Sequence, residues 1–143
     1  MAKKLDRESL YAFLSTGHRT AKIALVKSDG SPVVSPVWFV LDNNELVFNT
    51  MSTSLKGRLL KKDPRVSICV EDDTFPYGFA TIRGHATLHS LPVSELKQWT
   101  TRIAARYVPA DRAAEFGERN AVEEELLVRV NIVDFFAFEG VAD

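Results

Sequence analysis

Two clusters of turn-forming residues, Ser28-Asp29-Gly30-Ser31-Pro32 and Asp42-Asn43-Asn44, punctuate the first fifty positions of the chain. They separate three segments, 20 to 27, 33 to 41 and 45 to 49, of which the first two are rich in Val, Ile, Phe and Trp, while Leu46 and Phe48 alternate with their neighbours in the third. Strands joined by turns this short pair antiparallel, because a parallel crossover needs about a dozen residues or more. Further strands are predicted at 66 to 71 and 79 to 89, and two short ones at 126 to 131 and 134 to 138. Helical spacing of Leu10, Phe13 and Leu14 behind Asp6, a suitable N-cap, predicts a helix over 6 to 15. A second, about 54 to 62, carries Leu55, Leu59 and Leu60 and stops at Asp63-Pro64. A third, about 94 to 107, carries Leu96, Trp99 and Ile103, and Ala110 to Gly117 adds a further turn or two. Six or seven antiparallel strands with flanking helices form a small barrel most readily, since closure removes exposed sheet edges.

At 143 residues the chain makes one domain, 1 to 143, without linker or repeat. Eighteen basic and nineteen acidic side chains leave a net charge of -1, so no global field draws nucleic acid or anionic lipid. No apolar run approaches the roughly 20 residues of a membrane span, and Met1-Ala2-Lys3-Lys4 leads into Leu5-Asp6-Arg7-Glu8 where a signal peptide has its apolar region. A cytoplasmic protein without nucleic-acid or membrane partners is expected. The single cysteine, Cys69, allows no disulfide, thiolate zinc site or dithiol pair, so redox chemistry has to come from a cofactor.

The densest polar cluster is Thr50-Met51-Ser52-Thr53-Ser54-Leu55-Lys56-Gly57-Arg58, with four hydroxyls and two cations in nine positions at a strand-to-helix turn. A cation in the first turn of a helix opposes the helix dipole, and a bound phosphate resolves that conflict. The other reading is that Ser52 or Ser54 caps the helix while Lys56 and Arg58 point into water. The nine residues do not form a P-loop pattern. Pro36, in Ser35-Pro36-Val37-Trp38-Phe39, donates no ladder bond, so its strand is an edge or is interrupted there. Neighbouring backbone groups and the flat face of Trp38 then suit a planar ligand, unless Trp38 is simply core. His85 and His89, four apart on a strand, stand about 13 Å from each other at about 3.3 Å per residue, too far to share a metal, and no metal site is expected. His18 reads as structural, as does Cys69 beside Ile68 and Val70 in a buried strand. Glu123-Glu124-Glu125 reads as a solvated run.

These parts come in a recognisable order: Gly30-Ser31-Pro32, Ser35 to Phe39, Leu46-Val47-Phe48-Asn49-Thr50, Ser54-Leu55-Lys56 with Leu59-Leu60, Asp63-Pro64-Arg65-Val66-Ser67, then Tyr77 to Ala86, with Val128 to Val130 and Ala137 to Gly140 near the end. In this order the chain resembles the pyridoxamine 5′-phosphate oxidase-like split-barrel superfamily, and most closely its branch that binds the deazaflavin coenzyme F420. Lys56 to Ser67 is the most specific stretch. The resemblance implies a homodimeric split β-barrel with cofactor sites at the interface. It implies that Thr50, Ser52, Thr53, Ser54, Lys56 and Arg58 surround the cofactor phosphate, that Ser35, Pro36, Val37 and Trp38 lie against the ring, and that Tyr77 closes the site, from the partner subunit in one arrangement.

The resemblance further implies hydride transfer between coenzyme F420 and a small unsaturated or heteroaromatic substrate, with the cofactor carrying the chemistry. It identifies no catalytic residue; Tyr77 and His85 are the available proton donors. Two departures argue against vitamin B6 oxidation. The strand at 33 to 40 lacks a basic residue for the flavin phosphate, and the C-terminal arginine-bearing segment that holds that substrate is missing. FMN is the alternative cofactor, since its phosphate suits the same loop. A non-catalytic flavin or deazaflavin carrier is the alternative of a different class.

Overall fold

Asp6 starts the first helix by accepting a hydrogen bond from the Ser9 N–H at 2.8 Å on its Oδ1. The computed structural model describes residues 1–143. Its strands are β1 (Lys3–Lys4), β2 (Ala21–Val26), β3 (Pro32–Val37), β4 (Val40–Asp42), β5 (Glu45–Met51), β6 (Arg65–Asp72), β7 (Gly78–His89) and β8 (Glu125–Glu139). Its helices are α1 (Arg7–Ser15), α2 (Leu55–Lys62), α3 (Val93–Ala105) and α4 (Ala113–Asn120), the last preceded by a 3₁₀ turn at Ala110–Arg112. All pairings are antiparallel, in the order β3-β2-β6-β7-β8-β5-β4, with β1 added to β8. The antiparallel split barrel with flanking helices holds, with eight strands where six or seven were expected.

Two local differences account for that count together with β1. The segment 33 to 41, expected as one strand, divides. Val37 still pairs with Ala21 on β2, whereas Val40 already pairs with Val47 on β5 at the opposite end of the sheet. Trp38-Phe39 is therefore the covalent seam of the rolled sheet. Its backbone groups lose ladder partners there and have to find others. Phe39 N–H donates to Tyr107 Oη at 3.1 Å, and Arg106 Nη1 donates to the Phe39 carbonyl at 2.9 Å. The end of α3 thus supplies what the sheet does not. Conversely, the two short strands expected over 126 to 138 form the single strand β8. Its pairing with β7 steps from Arg83↔Asp134 to Gly84↔Ile132, leaving Val133 as an extra residue, and a bulge bends a long strand without ending it.

The main core fills the barrel with Leu10, Phe13, Ile23, Phe39, Phe48, Ile68, Ile82, Val128 and Val130, among others. A smaller cluster of Val47, Leu96, Ile103, Ala121 and Leu127 packs α3 on the outer side of β5 and β8. This explains why Leu46, Val47 and Phe48 are all buried although their alternation predicts one wet face. Cys69 corrects an expectation: Ile68 and Val70 point inward, and the thiol lies exposed on the outer face of β6.

Candidate functional site

The turn between β5 and α2 is built around the Ser54 hydroxyl. That oxygen accepts from the Gly57 N–H at 3.0 Å, lies 2.7 Å from the Met51 carbonyl to which it donates, and sits 3.1 Å from the Thr50 hydroxyl. Ser54 is therefore the N-cap, as one of the two sequence readings has it. The capping leaves the question of Lys56 untouched. No acidic side chain stands in the first turn of α2 to offset its charge, so the dipole conflict remains.

Lys56 is half-buried at the junction of two depressions. On one side a groove of about 290 Å³ brings it together with Ser35, Thr50 and Ser54. On the other a cleft of about 400 Å³ brings it together with Pro36, Val37 and Trp38, and also with Thr20, Asn49, Arg119 and Asn120. Pro36 sits on β3, an end strand of the sheet path, where its missing N–H breaks no central ladder. Trp38 is stacked on Tyr107, with ring centroids 5.2 Å apart and an interplanar angle of 6°, so one of its faces is covered by the chain itself. Tyr107 is fixed in turn, since its Oη donates to the Arg19 carbonyl at 2.8 Å. Burial pushes that phenol above its ordinary range.

Burial also pulls the Lys56 ammonium below its ordinary range, opposed by the negative charge of Glu125. Glu125 mirrors this, pushed up by burial and held down by a hydrogen bond from Asn49 and by Lys56. Each charge is costly where it stands. An anion entering the cleft stabilises Lys56 directly.

Of the other residues expected at the site, Ser52 and Thr53 stay on the turn outside both depressions. Arg58 points to a separate groove with Lys27, Lys61 and Lys62. Tyr77 lies apart from the cleft in the β6–β7 turn, its ring 5.8 Å from that of Phe75. Sequence reasoning missed Asn49, Arg119, Asn120 and Glu125. Glu125 contradicts its reading as part of a solvated run: it is buried at the start of β8, opposite Met51. Its signal was the apolar run Leu126-Leu127-Val128 that follows at once. A larger cavity, about 590 Å³, lies elsewhere, near the end of α2 and the start of β6. Two of its cations are already paired, Arg65 with Asp63 at 2.7 Å and Arg83 with Asp134. The Lys56 cleft has no such compensation at contact distance.

A family model described as pyridoxamine 5′-phosphate oxidase matches residues 7–133. The chain belongs to this family. Solved structures share its fold over nearly the whole chain. A conserved hypothetical protein from Mycobacterium tuberculosis superposes with a TM-score of 0.78 at 21% identity, covering 95% of this chain and 86% of that one. An F420 reductase gives 0.67 at 25% identity, covering 87% and 94%. An FAD-binding protein from Mesorhizobium loti gives 0.70 at 17% identity, covering 96% and 97%. This pyridoxamine 5′-phosphate oxidase family member thus has the scaffold on which a reductase and a flavin-binding protein are both built. No helix in it is long and apolar enough to cross a membrane.

Proposed function

We propose that this protein is a coenzyme F420-dependent oxidoreductase that transfers a hydride between the deazaflavin and a small unsaturated or heteroaromatic substrate. The observation that carries the reading is Lys56, a half-buried cation in the first turn of α2 that joins a mainly apolar groove, in which Ser35, Thr50 and Ser54 supply hydroxyls beside it, to a cleft walled by Pro36, Val37 and Trp38. The similarity to an F420 reductase over 87% of the chain supports the choice of cofactor. The residues present fit such a group. Lys56 and the N–H groups at the start of α2 receive a phosphate, with Thr50 and Ser54 beside them. The part of Trp38 that Tyr107 and the tilted Phe116 ring leave open to the cleft receives a flat ring, with Tyr107 stacked behind it. When bound, the deazaflavin supplies the hydride chemistry. The chain's own part is to orient the ring against β3 and to exclude water on the Trp38 side.

FMN is the second reading, because a phosphate at Lys56 serves either cofactor and an FAD-binding protein shares the fold. Fluorescence titration with F420 and, separately, with FMN decides between them. Deazaflavin-selective binding followed by oxidation of reduced F420 on a panel of enones and quinones is the expected result. FMN preference moves the protein to the flavin reading, and binding without turnover across the panel makes it a carrier. Binding of neither cofactor overturns the proposal.

The same reading includes a homodimer. On the outer face of β7 and β8, Phe79, Phe136 and Phe138 form an aromatic cluster with Phe136–Phe138 ring centroids 4.9 Å apart, and Phe136 is 54% exposed. With Phe79 and Phe138 half-buried beside the exposed Phe136, the cluster is an apolar patch of the kind a protein interface covers. Phe136→Asp is expected to convert a dimer to a monomer in sedimentation equilibrium, and a wild-type chain that is monomeric at micromolar concentration removes the dimer from the proposal.

A further inference from the structure

Of the run Glu123-Glu124-Glu125, only Glu125 is buried, at 7% exposure. A buried carboxylate beside a cleft that attracts anions is unfavourable twice over, through its own desolvation and through repulsion of the ligand. What it does contact is Asn49, whose Nδ2 donates to its Oε2 at 2.6 Å. An ionised carboxylate has no proton to give and can only accept, so of the two ends of the Asn49 amide only the NH₂ satisfies it. That removes the freedom an amide otherwise has to turn its two ends about. The opposite end, Oδ1, accepts no bond within the chain. It is not buried, since every buried side-chain nitrogen and oxygen has a partner. Asn49 lines the cleft with Lys56 and Trp38.

We propose that Glu125 is a positioning residue that holds the Asn49 amide with its carbonyl oxygen presented to the Lys56 cleft, making the site selective for ligands that carry an N–H or O–H donor on the same molecule as their anionic group. This rests on the reading of the cleft as a cofactor site and narrows its ligand class to anionic polyols and ring imides. A bare anion gains nothing from Asn49 and is repelled by Glu125. The two kinds of ligand therefore respond oppositely when the carboxylate is removed.

The test uses Glu125→Gln and Asn49→Ala, singly and together, with three probes: F420, FMN and sulfate, an anion without a donor. Glu125→Gln is expected to weaken binding of the preferred cofactor about 10-fold, the upper end for one neutral hydrogen bond, while sulfate binds as well as before or better. Adding Asn49→Ala to Glu125→Gln then costs little more, because the two residues act as a unit. In ¹⁵N-labelled wild-type protein the Asn49 side-chain NH₂, assigned by its loss in Asn49→Ala, exchanges with solvent more slowly than those of the turn residues Asn43 and Asn44. It loses that protection in Glu125→Gln. Equal weakening of sulfate and cofactor, additive losses, or an Asn49 amide indifferent to Glu125 overturns the proposal. A wild-type chain that binds neither cofactor defeats the cofactor reading alone, and the Asn49 signal still decides whether Glu125 positions it.

Discussion

Lys56→Ala is expected to lower cofactor affinity by about 10- to 100-fold, because a hydrogen bond to a charged group contributes about 1.5–3 kcal/mol and each 1.4 kcal/mol is about a factor of ten. The protein itself loses little. Burial already disfavours the ammonium in the free protein, so its removal relieves a cost at the same time as it removes a ligand contact. Calorimetric titration at low salt, together with thermal melting, separates the two effects: weaker binding with an unchanged melting temperature is the expected pair. Lys56→Arg keeps the charge and recovers part of the affinity. Affinity that survives Lys56→Ala unchanged removes the residue from the site.

How far the sequence alone reaches can be read from these same residues. Asp6, Ser54 and the turn at Asp42-Asn43-Asn44 act locally, through hydrogen bonds and backbone conformations that reach three or four positions, and each is where the sequence puts it. Lys56 was legible for the same reason, since its conflict with the helix dipole is a matter of one turn. Trp38-Phe39 was not. Its two residues have the composition of any buried strand, and what breaks the strand is a change of partner from β2 to β5, a tertiary event satisfied by Arg106 and Tyr107 some seventy positions away. Glu125 failed for a similar reason. A glutamate in an acidic run is usually solvated. Only the register of β8 against β5, which sets it opposite Met51 and within reach of Asn49, turns it inward. Residues that act through neighbours distant in sequence carry no periodic signal of their own.

Gly57→Ala is expected to cost about 3 kcal/mol of stability and to abolish cofactor binding with it, although it adds a single methyl group to a residue that touches no ligand. The β5–α2 turn folds so tightly beneath the helix that a Cβ at position 57 would lie 2.2 Å from the Met51 carbonyl oxygen and 3.1 Å from the Ser52 Cα. These are backbone atoms, and no rotamer change removes them. Overpacking of this kind costs about 1–3 kcal/mol where side chains can shift, and the upper end applies where they cannot. The only relief is for the start of α2 to lift away from the turn. That movement breaks the bond from Gly57 N–H to Ser54 Oγ, which is the N-cap, and carries Lys56 out of the junction between the two depressions. Helix propensity pulls the other way, since alanine in a helix is favoured over glycine by about 1 kcal/mol. A net loss of stability therefore shows that the close approach outweighs propensity. Urea denaturation and cofactor titration on the same variant give the two readouts. Lys56→Ala separates them and Gly57→Ala couples them. A Gly57→Ala protein as stable as wild type would mean that the turn does not pack against the helix in this way, and the geometry assigned to the phosphate groove would have to be given up with it.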